Sequence, residues 1–539
     1  MSDLAKLKAY TIPYAATGAF SKLVSHYVEN NHQLKPFFEH SVSLEGLQQA
    51  IANRQAFSTD RAKLVAALQQ QYQEVTLNEK QSANLSLLLN NNCFTITTAH
   101  QPNIFTGPLY FIYKILHAIK LADYAKTQFP QYHFVPIYYM GSEDADIDEL
   151  GHTFVDGKKY EWPTKQTGAV GRMKVDNALL QLIQEMAGQI GIYPFGNSFI
   201  YLLNQAYIKG RTIQEATLHL VNSLFAEFGL LVVVPDNKIL KSLFIQTIQK
   251  ELFEQFSSKA VMPTIEKLAE HYKVQAAGRE INLFYLSEGA RDRIEKKGEG
   301  FAIQRLNRFF SAEEIMEELT TNPEAFSPNV ILRGVFQETI LPNIAFIGGG
   351  GELAYWLELK EVFKAAEVPY PVLILRNSFL LMEAKYTAQY QKWQLKLNDI
   401  FKSADQLLNE WVLQQAANSL LLDEEKELFN EAFNKVQTKA TQIDSTLAAH
   451  AKALQHVWFQ KIVTLEKKML RAEKRKHADR KQQLLYWKNA LFPNNALQER
   501  TENMAVLYSK YGTNLMQQLF HYSLTLEQTF TILMQEPTT

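Results

Sequence analysis

The feature that most constrains this chain is a stretch without proline or glycine that runs from residue 372 to residue 492. Because these two residue types are the strongest local breakers, the stretch predicts long, uninterrupted helices. Its apolar residues recur at steps of three and four, which places one apolar seam along each helix. The acidic run 423–425 suits the start of a helix, where carboxylates face the positive end of the dipole. The seam residues are Leu397, Phe401, Ala404, Leu408, Trp411, Leu447, Ala451, Leu454, Trp458, Ile462, Leu465 and Met469.

We interpret residues 381–490 as two antiparallel helical arms that turn near residues 417–423. One arm is too narrow to bury its own seam, so the arms must pack together or against another subunit. The side chains of Trp411, Leu454 and Trp458 would leave a larger apolar patch exposed than a monomer usually carries. We therefore predict a homodimer joined by a coiled coil, with packing inside one chain as the alternative.

The first 380 residues follow a different pattern, in which short apolar runs alternate with helical segments. That alternation is typical of an α/β protein with a doubly wound parallel sheet. The first 90 residues are predicted to be helical. Two regions, about 151–225 and 237–327, are interpreted as insertions, and residues 491–539 as a helical segment that packs back on the core. Strands are predicted at residues 94–98, 134–140, 230–234, 330–335, 344–347 and 372–375, helices at 110–125 and 352–366, and a small β element at 153–162.

Polar residues follow the first predicted strand, where ligands of open parallel sheets usually bind. Gly107 permits close approach of the backbone to a ligand, and Pro108 suits the first turn of a helix, whose free N–H groups attract anions. His100 is a candidate for stabilising phosphate charge. The alternative is that His100 and Gln101 only satisfy backbone groups at the strand end. The candidate binding residues of this loop are Thr98, Gln101, Asn103, Thr106, Gly107, Tyr110 and Lys114.

An acidic loop follows the second predicted strand and should lie beside the first loop. Its carboxylates, Glu143, Asp144 and Asp146, are candidate catalytic residues. Such groups hold Mg²⁺, accept a hydrogen bond from an amine or act as a general base. The alternative is a solvated turn that caps a helix.

Four consecutive glycines connect a predicted strand to a predicted helix. The run is not the dinucleotide fingerprint, which requires a G-x-G-x-x-G pattern. Because glycine carries an entropic cost, close approach to a ligand explains the run better than packing does. The candidate binding residues around it are Arg333, Gln337, Glu338, Gly348, Gly349, Gly350, Gly351, Glu352, Tyr355, Trp356, Arg376 and Asn377.

Composition excludes several classes of protein. A net charge of −1 offers no general case for nucleic-acid or membrane binding. The single cysteine, Cys93, permits no intrachain disulfide, and we expect a cytoplasmic protein without a signal peptide or membrane span. The sequence contains no Walker A loop, no H-E-x-x-H and no C-x-x-C, so neither a P-loop nor a zinc site is expected.

Six of these segments together resemble the family of the bacillithiol biosynthesis cysteine-adding enzyme, a cysteine ligase. The resemblance implies a Rossmann-like core with connecting insertions, similar to class I aminoacyl-tRNA synthetase cores, and a coiled coil that makes a homodimer. It implies that L-cysteine is joined to the amine of glucosaminyl-malate, and that a nucleotide binds near the coiled coil. The segments are residues 98–114, 142–148, 328–341, 348–357, 376–378 and 491–500.

The chain departs from that family at two positions: Ala99 replaces an expected glycine, and Ala145 replaces a histidine found in many relatives. It also lacks a KMSKS-type loop. Since a free acid must be activated before it forms an amide in water, we expect ATP with Mg²⁺ to be used. In this scheme His100 and Thr106 hold phosphate, and Arg333 and Arg376 hold carboxylates. The alternatives are another acyl or nucleotidyl transferase, or a coiled-coil assembly factor that binds a nucleotide.

Overall fold

A computed structural model describes residues 7–415 and 420–537 of the chain. The chain divides into two compact units. The larger unit comprises Met1–Thr387 and Ala496–Thr539, and the smaller, helical unit comprises Ala388–Asn495.

Five strands form one parallel sheet in the larger unit. Its first strand, Cys93–His100, is buried along its whole length, as expected for a parallel sheet that is covered on both faces. In chain order the strands of the described residues are β1 (Leu7–Ile12), β2 (Cys93–His100), β3 (His133–Met140), β4 (His152–Val155), β5 (Lys158–Glu161), β6 (Leu231–Val233), β7 (Leu283–Ser287), β8 (Ala290–Arg293), β9 (Glu295–Lys297), β10 (Gly300–Ile303), β11 (Arg308–Phe310), β12 (Phe326–Pro328), β13 (Asn343–Gly348), β14 (Val372–Leu375), β15 (Phe379–Met382) and β16 (Phe530–Gln535).

The order of strands across the parallel sheet is β14–β13–β2–β3–β6. The chain builds the sheet outward from β2 in one direction and later resumes at β13 on the other side of β2. The boundary between β2 and β13 is therefore the topological switch point, where sheets of this kind bind their ligands. Thr98 of β2 pairs with Ile347 of β13 and Tyr138 of β3, so the carboxyl ends of these strands lie at one edge.

Helices cover the parallel sheet and the insertions. Apolar residues of α2 and α5 pack on β2, β13 and β14 in one buried cluster that includes Ile51, Leu121 and Ile347. In chain order the helices are α1 (Lys22–Val28), α2 (Leu44–Ala56), α3 (Arg61–Gln71), α4 (Glu79–Leu87), α5 (Tyr110–Gln128), α6 (Ile147–Leu150), α7 (Asn177–Ile190), α8 (Gly196–Ala206), α9 (Ile213–Phe225), α10 (Lys238–Ser242), α11 (Ile245–Glu254), α12 (Phe256–Ala269), α13 (Ala312–Thr321), α14 (Val330–Ile340), α15 (Gly350–Trp356), α16 (Lys360–Ala365), α17 (Ala384–Lys392), α18 (Ala404–Gln415), α19 (Asp423–Ile443), α20 (Leu447–Lys476), α21 (Ala478–Leu491), α22 (Gln498–Thr501), α23 (Met504–Tyr511) and α24 (Thr513–Tyr522).

A buried ion pair fixes the corner between α14 and β13. Arg54 of α2 donates to the carboxylate of Glu338 at 2.9 Å and to the main-chain oxygen of Asn343 at 2.9 Å. The side chains of Arg54 and Glu338 are 1% and 0% exposed. Because a buried charge without a partner is costly, this pair ties α2 to α14. The bond to Asn343 ties α2 to the start of β13 as well.

The insertions carry small sheets of their own. The first opens with the β4–β5 hairpin, which confirms the predicted β element, and continues with α7, α8 and α9. The second contains two sheets, ordered β12–β7–β8 and β11–β10–β9. Outside the insertions, β16 lies between β1 and β15 in a separate sheet.

In the helical unit α19 and α20 pack against each other, and α18 packs against α21. Leu408, Val412 and Trp487 are buried, whereas Trp458 and Leu465 on α20 are 50% and 54% exposed. None of the helices in the described ranges combines the length and apolar character needed to cross a membrane.

The α/β fold class and the long helices are confirmed, but several predicted elements are wrong. Residues 330–335 start the helix α14 and form no strand, because the side chain of Asn329 accepts from the N–H of Ile331 and caps the helix. The first 90 residues include the strand β1, and the predicted single helix at 352–366 is divided into two helices, α15 and α16. The predicted strand at 372–375 is confirmed as β14, but β15 was not predicted, and β16 lies in the segment 491–539 that was predicted to be helical.

The turn of the helical arms also differs from the prediction. Residues 416–419 lie outside the described residues, and α19 begins at Asp423 as the acidic run predicts. The packed pair α19 and α20 turns at residues 444–446, where the Asp444 carboxylate accepts from the N–H of Thr446 at 2.8 Å.

Candidate active site

A cavity of about 1050 Å³ opens at the carboxyl edge of the parallel sheet, around the switch point. Its walls come from the ends of β2 and β3, the first turns of α1, α5 and α15, and the second insertion. Nine lysine and arginine residues line it against four aspartate and glutamate residues. The cavity is therefore strongly cationic, although the whole chain is nearly neutral.

Lys114 and Glu352 form an ion pair across the switch point. Lys114 lies on the helix after β2, and Glu352 lies on the helix after β13. The ammonium group also donates to the main-chain oxygen of Ala99 at 2.9 Å, and the Glu352 carboxylate accepts from the N–H of Gly349 at 2.8 Å. Burial lowers the pKa of Lys114, and Glu352 opposes that shift.

The glycine run forms the predicted turn, because β13 ends at Gly348 and α15 begins at Gly350. A Cβ atom at Gly348 would lie 2.9 Å from the ring of Phe346, so packing requires glycine there. A Cβ atom at Gly351 would have nothing within 4 Å, and Gly349, Gly350 and Gly351 face the cavity. Packing thus explains part of the run, and the remainder borders open space.

Arg376 follows β14 and is held in a fork-to-fork pair with Glu499. The two nitrogen–oxygen distances are 2.9 Å and 2.7 Å, and both side chains are almost fully buried. Nη1 donates also to the hydroxyl of Ser378 at 3.0 Å and to the main-chain oxygen of Asn377 at 2.9 Å. The terminal nitrogens of this guanidinium are thereby committed to the protein itself.

The three acidic-loop residues have different surroundings. Glu143 is buried and pairs with Lys241, and it accepts from the hydroxyl of Ser327 at 3.1 Å. Asp144 lines the cavity, and its donors among the described residues are neutral, such as the amide of Gln101 at 3.2 Å. Asp146 is exposed and caps α6 through the N–H of Glu149. Asp144 is therefore the carboxylate of this loop that remains available to a ligand.

His100 ends β2 and packs edge-on against Tyr110, with ring centroids 5.3 Å apart. Burial lowers the pKa of His100 well below its usual range, and the charges of Lys114 and Arg376 lower it further. Its Nε2 atom is buried without a hydrogen-bond partner among the described residues. The imidazole is thus neutral at pH 7 and offers a hydrogen bond rather than a positive charge.

The loop after β2 is held by residues far away in the sequence. Phe105, Thr106 and Gly107 all have positive φ angles, of 54°, 77° and 63°. The side-chain amide of Asn503 donates to the main-chain oxygens of Phe105 and Gly107, each at 2.7 Å. The N–H of Leu109 at the start of α5 donates to the oxygen of Glu502 at 2.8 Å. These contacts fix the loop and use one of the N–H groups expected to face an anion.

The structure brings about half of the sequence-predicted residues together. Those that line the cavity are His100, Gln101, Tyr110, Lys114, Glu143, Asp144, Arg333, Gly349, Gly350, Gly351, Glu352, Tyr355 and Arg376. Those that lie outside its lining are Thr98, Asn103, Thr106, Gly107, Asp146, Gln337, Glu338, Gly348, Trp356 and Asn377.

Most residues in the second group have structural contacts. Thr98 donates to the oxygen of Ile347 at 2.8 Å, and Trp356 stacks on Phe346 with ring centroids 4.4 Å apart. Gln337 and Glu338 belong to the network around Arg54. These side chains support the sheet beneath the cavity.

Sequence reasoning missed the cationic residues that the insertion and the flanking segments supply. Arg279, Arg291 and Arg293 come from the second insertion, Lys22 from α1 and Arg500 from α22. The insertion strands are short and lack a ligand-binding pattern. The available signal was that Arg291 and Arg293 are two residues apart on β8 and therefore lie on the same face of the strand.

The acidic loop does not form a ready metal centre. Within residues 7–415 and 420–537, no group of three or more His, Cys, Asp or Glu side chains is arranged to hold a metal ion. Glu143 is already neutralised by Lys241. A Mg²⁺ ion held by protein carboxylates alone does not fit this arrangement.

A parallel sheet with this strand order and a cationic cavity at its switch point defines a Rossmann-like protein, here joined to a unit of long helices. The model of the bacillithiol biosynthesis BshC N-terminal Rossmann-like domain matches residues 7–377, and the model of the BshC C-terminal coiled-coil domain matches residues 379–535. The chain belongs to the bacillithiol biosynthesis BshC family, as the sequence resemblance predicts.

Similar proteins cover nearly the whole chain. A protein of Flavobacterium johnsoniae named "putative cysteine ligase BshC" is 37% identical over 97% of this chain and 99% of its own length. Proteins with the same name from Flavobacterium psychrophilum and Christiangramia forsetii are 36% and 34% identical, each over 97% of this chain and 98% of their own length.

Proposed function

We propose that this protein is a cysteine ligase that joins the carboxyl group of L-cysteine to the amine of glucosaminyl-malate, with ATP as a second substrate. The observation that carries the proposal is the cationic cavity at the switch point, with nine basic residues against four acidic ones. All of the proposed reactants carry carboxylate or phosphate groups. Membership of the BshC family and the names of its relatives support a cysteine ligase of bacillithiol biosynthesis.

The proposed chemistry proceeds in two steps. A carboxylate oxygen of cysteine attacks the α-phosphorus of ATP, and pyrophosphate leaves. The amine nitrogen of glucosaminyl-malate then attacks the activated carbonyl carbon, the bond to AMP breaks, and the amine gives up one proton. ATP is required because a free carboxylate is a poor acceptor for an amine.

Asp144 is the proposed acceptor of the amine and its proton. It lines the cavity and forms no ion pair with a described cation, whereas Glu143 is paired with Lys241 and Asp146 caps a helix. A general base must lie within hydrogen-bond reach of the proton that it removes, and Asp144 has such an open side.

Lys114 and His100 are the proposed contacts for the phosphate and carboxyl oxygens near the switch point. Lys114 is fixed by Ala99 and Glu352, so its charge is already oriented before a ligand arrives. A fixed donor of this kind stabilises developing negative charge without reorganisation. His100 contributes as a neutral donor, since its pKa is lowered well below the usual range.

Magnesium enters this proposal only as a partner of the ATP phosphates. Proteins commonly bind Mg²⁺ through one or two carboxylates together with substrate phosphates and water. The acidic loop offers one available carboxylate, that of Asp144, and no step of the proposed reaction passes through a metal held by the protein alone.

The proposal is tested by turnover of the purified full-length protein with L-cysteine, glucosaminyl-malate and ATP-Mg²⁺. Mass spectrometry should detect the cysteine amide together with AMP and pyrophosphate in equal amounts. Product without any nucleotide would disprove the ATP step, and ADP with phosphate in place of AMP would replace the adenylate by an acyl phosphate. No product under any condition would favour the alternative of a nucleotide-binding assembly factor.

A further inference from the structure

The basic residues that line the cavity differ in whether a carboxylate already neutralises them. Lys114 is paired with Glu352, and Arg376 is paired with Glu499. Arg279, Arg293 and most other basic residues of the lining are exposed and therefore hydrated. Two half-buried arginines, Arg291 and Arg333, make no ion pair with any described carboxylate.

Arg291 lies on β8 of the second insertion and its guanidinium is held in a fixed plane. The central carbon of the guanidinium is 3.9 Å from the centroid of the Phe284 ring, which is close enough for stacking. Nε and Nη2 lie 3.4 Å from the hydroxyl oxygen of Ser327, at the limit of a hydrogen bond. The side chain is thus oriented by its neighbours, but most of its N–H groups are not strongly bonded to them.

Neutralisation of the acidic loop does not explain Arg291. Glu143 already has Lys241 as an ion-pair partner and also accepts from the hydroxyl of Ser327. Arg291 contacts that same hydroxyl, so Ser327 separates the guanidinium from the Glu143 carboxylate. Glu143 and Asp144 act on the charge of Arg291, but neither forms an ion pair with its guanidinium. A half-buried cation is stabilised best by an anion in direct contact, and a ligand would supply that contact.

Arg333 of α14 is in a comparable position on the core side of the cavity. One terminal nitrogen donates to the hydroxyl of Tyr355, and the other, Nη1, is buried without a partner among the described residues. The two arginines come from different parts of the chain, one from the core and one from the insertion.

We propose that Arg291 and Arg333 bind the two carboxylates of the malyl group, so that the second insertion selects this acidic substrate. The inference rests on the proposed function. A planar guanidinium binds a carboxylate through two parallel hydrogen bonds, and two such groups match a dicarboxylate. In glucosaminyl-malate the amine sits on the sugar carbon next to the one that carries the malyl group. The carboxylates must therefore lie near the amine acceptor, and the charges of Glu143 and Asp144 both act on Arg291, which places it beside the acidic loop.

The test is calorimetric binding to the full-length protein of three ligands: glucosaminyl-malate, its dimethyl ester and ATP. Arg291→Gln should weaken binding of glucosaminyl-malate about ten- to hundredfold, since a hydrogen-bonded charged group is lost. The same change should leave binding of the dimethyl ester and of ATP within about threefold. Arg291→Lys should restore only part of the loss, because lysine keeps the charge but cannot form two parallel bonds. Arg305→Gln is the matched control, since Arg305 lies in the same insertion, is 83% exposed and does not line the cavity.

The outcomes separate this inference from the proposed reaction. Weaker binding of ATP with unchanged binding of glucosaminyl-malate would overturn the malyl assignment and place phosphate at Arg291. An equal loss for the diacid and its dimethyl ester would show a structural role and overturn it as well. Arg291-dependent binding of the diacid without any turnover would leave the inference standing and disprove the ligase reaction. Normal KM and kcat in Arg291→Gln would disprove the inference and leave the reaction standing, and absence of binding in the wild type would overturn both.

Discussion

In the larger unit several buried charges occur in ion pairs, whereas in the helical unit many apolar side chains stay half-exposed. Arg54 with Glu338 and Arg376 with Glu499 are each 5% exposed or less. On α19 and α20, by contrast, Leu428, Trp458 and Leu465 are between 50% and 65% exposed. These buried charges of the core each have an ion-pair partner, whereas the apolar seam of the helical unit remains exposed to solvent.

This contrast indicates two different requirements. A buried ion pair contributes little net stability compared with apolar residues of the same volume, but breaking it is very costly. Such pairs therefore suit a region whose geometry must be fixed, such as the strands beneath the cavity. An exposed apolar seam suits a surface that binds another molecule, which agrees with the predicted homodimer.

Removing one member of a buried pair should have the largest effect. Arg54→Met leaves the Glu338 carboxylate buried without its cation, and we expect the free energy of unfolding to fall by about 3–5 kcal/mol. Chemical denaturation followed by fluorescence measures the loss. Arg54→Met combined with Glu338→Gln should lose less than the single change. If Arg54→Met lowered the free energy of unfolding by less than about 1 kcal/mol, the core would not depend on its buried ion pairs.

Removing the unpaired carboxylate should instead affect catalysis and leave the fold intact. Asp144→Asn should lower turnover by about 10²–10⁴-fold, the usual range for the loss of a general base. The melting temperature should stay close to that of the wild type, because Asp144 accepts from the neutral amide of Gln101 and makes no ion pair within the described part of the chain. Asp148→Asn, an exposed change in the short helix α6 that follows the loop, is the control. Near-normal turnover of Asp144→Asn would refute the assignment.

A charge in the exposed seam should weaken the homodimer. Trp458→Glu places a carboxylate where apolar contact is expected, and we predict a loss of about 2 kcal/mol, or roughly thirtyfold in the dissociation constant. Sedimentation velocity at several concentrations measures this shift. His456→Glu, on an exposed position of the same helix, should have little effect. A wild type that sediments as a monomer at micromolar concentration would rule out the dimer.

The smallest effect is expected for an exposed ion pair of the helical unit. Glu410 is 48% exposed and pairs with Lys402, which also contacts Asp399 at 2.8 Å. Glu410→Gln should change the free energy of unfolding by at most about 1 kcal/mol, since water already screens this pair. If Glu410→Gln lowered the free energy of unfolding as much as Arg54→Met does, the contrast between the two units would disappear.

The sequence predicted the features that depend on local pattern. Apolar runs located the parallel strands, and their ends located His100, Asp144 and the glycine turn, all of which border the cavity. The segment 330–335 was misjudged because a short apolar run suits a buried strand and a buried helix equally well. The polar residues Asp444 and Thr446 were an available signal for the turn between α19 and α20.

Features that depend on distant residues could not be predicted from pattern. The Arg54–Glu338 pair joins positions 284 residues apart, and the Lys241–Glu143 pair joins positions 98 residues apart. No local period marks which of several acidic residues will meet a buried cation. For the same reason Glu143 and Asp144 are adjacent in sequence and alike in chemistry, yet one is paired and the other borders the cavity.

The pairing of Arg376 with Glu499 has a consequence for how the protein is made. The ribosome synthesises Arg376 123 residues before its partner, and the entire helical unit comes between them. At about 5–20 residues per second, this interval lasts about 6–25 s. During that time the nascent core lacks Glu499, the strand β16 and the side chain of Asn503, which holds the loop after β2. The cavity can therefore take its final form only after translation of the helical unit is complete. Until then the incomplete core is accessible to chaperones and proteases.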